Sequence, residues 1–568
     1  MLPYARMTAG RAREACGVIA AAALLTVVLT WPIVTSPGRY GRTDTGDGQW
    51  SLWVVSWVAH ALTTNPAGLY DANAFHPHRN ALAFSEPNIG AGVIAAPVWA
   101  ATKNPYAAYN WVVFVGFVVS ATSAYVLARY LTGSVAGAAC AAIAFAFCPF
   151  VFARFAHIQL LFVGGLPLSA WAMHRFVDAP AARPAIGLGL ALAGQGLFCG
   201  YYGVAAGLFV GAGITWFAVS RGHWRRPGYW LLAGLAAAIA ILVIAPFLLP
   251  LVALQRGSGF ARSLEDNSRW AADWRAWLAS AAWAHRWMLG LLGTWKEVLF
   301  PGFLPLGLAA AGLVLGRRST PAGAGVVGSP RGTASRMPRD VTLFYLAIAL
   351  LTFWATFGPA LGLYTVFYYT LPLFSLLRAP GRFGILVTLA VAVLAARGVA
   401  LVLGRGPARF RRIAAVALPA LLAIELAQVP LRFPLNPTTP HPVYRLLSGL
   451  PPGPLVELPF YDQSVDYYRH ARYMLNSTWH WQRLVNGYSD YIPPDFRTAA
   501  PRIATFPSAE AFATLEPMGV RYVLLHARLL PPAEVASLDE RLAVHAAHLR
   551  PLYRKDLVWL YVITDWPR

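Results

Sequence analysis

Apolar runs of about 20 residues recur along this chain as far as residue 430, the length a helix needs to cross a bilayer. Lipid offers no water to backbone N–H and C=O groups, so segments that cross it have to be helices. The runs fall at 17–35, 106–131, 135–153, 158–177, 184–199, 203–219, 228–254, 298–316, 341–358, 382–404 and 413–429. These are about eleven spans, with 183–219 open between two short spans turning at CGYYG and a re-entrant pair. Composition agrees: 57% of residues are hydrophobic and 12% charged, against roughly 25% charged in soluble chains. The sequence predicts a polytopic α-helical membrane protein.

Charge orients it. The net charge of +22 would suggest nucleic acid in a soluble protein. Here arginines gather in short loops between apolar runs, RGHWRRPG (221–228), RRSTPAGAGVVGSPRGTASRMPRD (317–340) and RGPARFRR (405–412). That is the positive-inside pattern, and it excludes a nucleic-acid reading. It places the N-terminus in the cytoplasm and the long loop 36–105 outside, and an odd span count puts the C-terminal segment outside too. The loop 317–340, rich in Gly, Ser, Pro and Arg, reads as disordered. Arg6, Arg11 and Arg13 precede an apolar stretch with no small-x-small site before Ser36, which reads as a retained first span. Cys16, Cys140, Cys148 and Cys199 lie in or beside apolar segments and read as packing residues, with no disulfide framework.

The segment 430–568 breaks the pattern. It opens on the proline-rich LRFPLNPTTPHPV and carries short β-like runs at 454–460, 520–527 and 557–563. Between them, SAEAFATLEPMG (508–519) reads as a helix with a Ser cap and a Gly stop. The expected domains are a transmembrane domain, 1–429, with its outer loop 36–105, and a soluble extracytoplasmic α/β domain, 430–568.

Two acids, Asp44 and Asp47, stand in TDTGDGQWSLWVVSW (43–57). Trp50, Trp53 and Trp57 follow at helical spacing, which reads as an interfacial helix with tryptophans at headgroup level. A second short apolar piece, 89–101, reads as lying along the interface or dipping in. Asp47 is also well placed to cap the helix starting at Gly48. The tail gathers Tyr467, Tyr468, Tyr473, Trp479, His480, Trp481, Asn486, Tyr488 and Tyr491, a composition suited to stacking sugar rings, to the membrane interface or to a core. No phosphate-cradling glycine loop, HExxH helix or GxSxG elbow occurs.

The motifs GDGQWSLW, AFHPHRNALAFSEPN, AAYNWVVF, FAFCPFVFARFAHIQLL, PLSAWAMHRF, LLRAPGRFGIL, STWHWQRLVNGYSDYIPP and MGVRYVLLH together make the chain resemble the glycosyltransferase C (GT-C) superfamily. Within it, the likeness is to bacterial multi-span proteins of uncharacterised activity. The resemblance implies transfer of a sugar from a polyprenyl-phosphate-linked donor to an envelope glycan or lipid acceptor, on the outer face of a bacterial inner membrane. It implies an acidic centre in the first outer loop: Asp47 first, with Asp44 and Glu86. Arg378 and Arg382 are the phosphate candidates, since a departing phosphate needs positive charge. His78, His157, Trp479, His480 and Tyr488 are candidate substrate contacts. The implied cofactor is a divalent metal, Mg or Mn, on Asp44, Asp47 and Glu86. The DTGD spacing departs from the DxD triplet such sites use. Two other readings stand beside this one. A non-catalytic envelope-assembly protein of the same fold is the first. The second is a lipid or glycan transporter, which normally carries mid-membrane charge or repeated broken spans.

Overall fold

The computed structural model describes residues 9–259, 261–317, 337–371 and 374–567. Most of the 317–340 loop, expected to be disordered, lies outside the described residues. The chain divides into two compact units. The first comprises 1–35, 113–249 and 259–431; the second comprises 36–112, 250–258 and 432–568.

Among the described residues, seven helices are long and apolar enough to cross a membrane: Gly10–Leu29, Pro105–Thr132, Val135–Phe152, Gly200–Ser220, Pro227–Ser258, Arg339–Thr356 and Pro380–Arg405. The other expected spans form helices that fall short of that length or apolarity. The run 158–177 breaks into Ile158–Leu161 and the 14-residue Gly165–Asp178. The run 298–316 becomes Phe303–Arg317, and 413–429 becomes Ala408–Leu426, with arginines in its opening turn and Pro419 inside. The region 183–219 forms two helices, Ala182–Phe198 and Gly200–Ser220, that meet at Cys199. In the first unit, Gly384–Arg405 is apolar on all sides and buried along nearly its whole length, as a helix without a polar face requires. It packs against Phe303–Arg317, Arg339–Thr356 and Val135–Ala146.

The second unit joins the outer loop to the C-terminal segment. Its helix α1 (Gly46–Thr64) packs on α2 (Ile89–Thr102) and on α3 (His470–Ser477). The α1–α2 approach closes at Gly92, where a Cβ would lie 2.2 Å from Val58 Cγ1. The interfacial role expected for α1 is corrected here. Trp50, Trp53 and Trp57 are all buried. Trp53 Nε1 donates to Asn73 Oδ1 at 3.1 Å, and Trp57 Nε1 donates to the Leu69 carbonyl at 2.8 Å. Tryptophan spacing marks interface and core alike, because the residue needs an apolar bed and one hydrogen-bond partner in either setting.

The C-terminal sheet has strands β1 (Leu455–Leu458), β2 (Tyr522–His526), β3 (Leu549–Lys555) and β4 (Val558–Ile563), in the order β1-β2-β4-β3. β1 and β2 are parallel and the other pairs antiparallel. Helix α4 (Ala509–Leu515) is capped by Ser508, whose side chain accepts from the Ala511 N–H, and Gly519 follows with φ of 62°. Glu457 on β1 and His526 on β2 form a buried pair, 2.6 Å apart, with the Tyr444 hydroxyl 3.2 Å from the same carboxylate oxygen.

Candidate functional site

The acidic loop of the second unit is organised by backbone crowding and by the tail. Thr45, not Asp47, caps α1: its Oγ1 accepts the Gly48 N–H at 3.1 Å. Only glycine fits at 48, where a Cβ would fall 1.9 Å from the Arg42 carbonyl oxygen. Asp47 therefore sits inside the first turn, where the helix N-terminus favours negative charge. Its Oδ1 accepts the Tyr488 hydroxyl at 2.9 Å, across 441 positions of sequence.

The tail also holds the neighbourhood of Glu86. Ser85 Oγ donates to Asp490 Oδ2 at 2.9 Å, and the Tyr491 N–H donates to the Phe84 carbonyl at 2.8 Å. The Glu86 side chain is half-buried. Farther along the loop, Asn73 Nδ2 donates to Ser477 Oγ, and the His76 ring meets the Met518 carbonyl at 2.8 Å. Asp490 escaped the sequence reading. Its signal was a carboxylate inside the GYSDY turn, flanked by the two tyrosines that were singled out.

The other candidates in this unit separate from Asp47 and Tyr488. Asp44 is exposed and pairs with Arg42 at 2.9 Å. His78 faces Asp495 at 3.0 Å. His480 is buried in the core, stacked with Tyr444 at 5.7 Å, and its Nδ1 accepts the Gln482 N–H at 3.0 Å. Burial pushes its pKa down to about 3, so it is neutral. Trp479 is half-buried in the turn after α3. Its neighbour Trp481 stacks on His60, with ring centroids 4.3 Å apart, and takes the edges of Trp57 and Trp99. Burial, aided by Lys103, lowers His60 to about 4.

The expected metal set is not assembled. Among the described residues, no three His, Cys, Asp or Glu side chains gather as a metal ion requires. Asp44 is directed to Arg42, and Asp47 to Tyr488.

In the first unit, Arg378 and Arg382 do come together. Arg378 lies just before, and Arg382 within, a 3-10 turn, Pro380–Phe383, that leads into Gly384–Arg405. Both line one small cavity with Tyr201, Tyr202, Tyr364 and Phe383. Glu297 lies against Gly381 of the same turn and is paired with Arg154, both side chains only 11% exposed. The sequence reading passed over Arg154 and Glu297, though Arg154 stands in the quoted FARFAH motif. His157 lies half-buried in the break between Pro149–Phe152 and Ile158–Leu161.

Among the described residues, seven helices long and apolar enough to cross a membrane, with a small C-terminal sheet, define a multi-span helical membrane protein. No protein-family model matches the chain, and no curated protein matches it. Solved structures are similar to it. One is the archaeal oligosaccharyltransferase AglB from Archaeoglobus fulgidus, in complex with an inhibitory peptide and a dolichol-phosphate. It is 13% identical over 99% of this chain and 75% of that one, with a TM-score of 0.46. The oligosaccharyltransferase of the same organism with Zn and sulfate is 14% identical over 96% and 72%, with a TM-score of 0.46. ArnT from Cupriavidus metallidurans in the apo state is 12% identical over 98% of each chain, with a TM-score of 0.40.

Proposed function

We propose that this protein transfers a sugar from a polyprenyl-phosphate-linked donor to an envelope glycan or lipid acceptor on the outer face of a bacterial inner membrane. The observation that carries the reading is the carboxylate of Asp47, set in the first turn of α1 and held by the Tyr488 hydroxyl at 2.9 Å. A fixed carboxylate can take the proton of an acceptor hydroxyl as that oxygen attacks the sugar carbon. A polyprenyl phosphate needs cations, and Arg378 and Arg382, which line one cavity within the first unit, are the candidates to bind it. The dolichol-phosphate bound to the Archaeoglobus protein is a carrier of this kind. In this reading the donor reaches the arginines from the bilayer, Glu86 lends a second carboxylate, and the half-buried tail face around Trp479 and Tyr488 orients the acceptor.

The test is Asp47→Asn, which keeps shape and removes the base. Transfer from a polyprenyl-phosphate sugar falls about 10²-fold or more, and the envelope glycan profile matches that of a whole-gene deletion. Asp44→Asn, at an exposed ion pair, leaves transfer within about twofold of wild type. An unchanged glycan profile in Asp47→Asn, against a changed one in the deletion strain, removes Asp47 from the chemistry.

A further inference from the structure

The turn that carries Arg378 and Arg382 is strained. Ala379 between them has φ of 60°, in the left-handed region, and is buried. A residue with a Cβ holds that conformation only when its surroundings enforce it.

Tyr201 touches the turn twice. Its hydroxyl accepts the backbone N–H of Arg378 at 3.2 Å, one residue from the strained position. Its ring lies beneath the Arg382 guanidinium, 4.3 Å from Cζ to the ring centroid. The first contact fixes the path of the backbone; the second fixes the plane of a planar cation that recognises oxyanions by its orientation. Tyr201 itself is anchored in the first turn of Gly200–Ser220, directly after the helix break at Cys199. It lines the same cavity as both arginines. One side chain thus governs both candidate phosphate ligands.

Resting on the reading of Arg378 and Arg382 as phosphate ligands, we propose that Tyr201 is the positioning residue of that site. It holds the strained turn and aims Arg382, and it acts on the phosphate only through the arginines.

The experiment uses the full chain in nanodiscs and farnesyl phosphate as the probe, with affinity read by calorimetry. Tyr201→Phe keeps the ring and loses the acceptor, and binding weakens about 3- to 10-fold, the equivalent of one net hydrogen bond. Tyr201→Ala also loses the ring and weakens binding about 30-fold or more. Glycine adopts a positive φ without strain, so Ala379→Gly restores most of the affinity lost in Tyr201→Phe. A residue that merely packs would lower the melting temperature without this coupling to position 379. If Tyr201→Phe and Tyr201→Ala bind like wild type while Arg382→Ala does not, the positioning role is wrong and the phosphate site survives. If Arg378→Ala and Arg382→Ala both bind like wild type, the phosphate reading falls and takes the proposal with it. Should Tyr201→Ala fail to fold, Tyr201→Phe with and without Ala379→Gly decides the matter.

Discussion

His470 and His480 contribute the most deeply buried part of the second unit's response to acid. The two residues are 0% and 8% exposed. Burial holds both neutral, bringing His470 to about 4 and His480 to about 3, although the Tyr461 carbonyl pulls His470 the other way. Once unfolded, each ring titrates at its ordinary 6.5. Between the folded and unfolded values the unfolded chain binds more protons, so stability is full above pH 6.5 and is lost as pH falls below it. The loss is about 1.4 kcal/mol per pH unit and per ring. At about pH 5 each ring costs about 2 kcal/mol and the pair about 4. That is a large share of the roughly 5–15 kcal/mol that holds a domain together. Hydrogen exchange on β1 and β2, in the full chain in nanodiscs, reads the local opening free energy from about pH 7.5 to 5. The expected result is a fall in wild type about 4 kcal/mol larger than in His470→Asn/His480→Asn, which keeps the contribution of His60. A double variant with the wild-type slope would refute the assignment, because the acid sensitivity would then originate elsewhere.

Three further outcomes follow from the contacts described. Tyr488→Phe removes the donor on Asp47 and lowers kcat about tenfold, with the donor KM unchanged, a loss of roughly 1.4 kcal/mol in transition-state stabilisation. Gly92→Ala drives a methyl into Val58 and lowers stability by about 1–3 kcal/mol, read as a lower Tm; adding Val58→Ala recovers part of it. Arg154→Leu strands Glu297 as a buried lone charge and costs about 3–5 kcal/mol in thermal unfolding, whereas Arg154→Leu/Glu297→Leu costs far less.

Features written in short range were legible before any coordinates. The Ser508 cap opens a real helix, which ends at Leu515, four residues short of the expected Gly519 stop, and three β-like runs are three of the four strands. The fourth, LRPLYRK, was missed because an edge strand with an exposed, basic and Pro-containing face shows no apolar alternation. Arg378 and Arg382 were legible as a pair because they stand four positions apart in one short loop. The bond from Tyr488 to Asp47 was not, since no periodicity links residues 441 positions apart. The α1 tryptophans were misread for a different reason: their pattern records what each indole needs, not whether lipid or protein provides it.

The second unit is discontinuous in sequence, drawing on 36–112, 250–258 and 432–568, and this sets a schedule for biogenesis. During synthesis, α1 and α2 leave the ribosome long before β1 exists. Until Ser477, Leu484, Asn486 and Tyr488 arrive, Asn73, the Phe75 backbone and Asp47 lack the partners they have in the finished fold. Trp57, meanwhile, lacks the Trp481 ring it meets there. A nascent chain stalled before residue 470 therefore presents an incomplete apolar helical hairpin, a natural target for chaperones and quality-control proteases. Truncations near the C-terminus would be expected to act first as assembly defects of the loop that begins at residue 36, and only through it on chemistry.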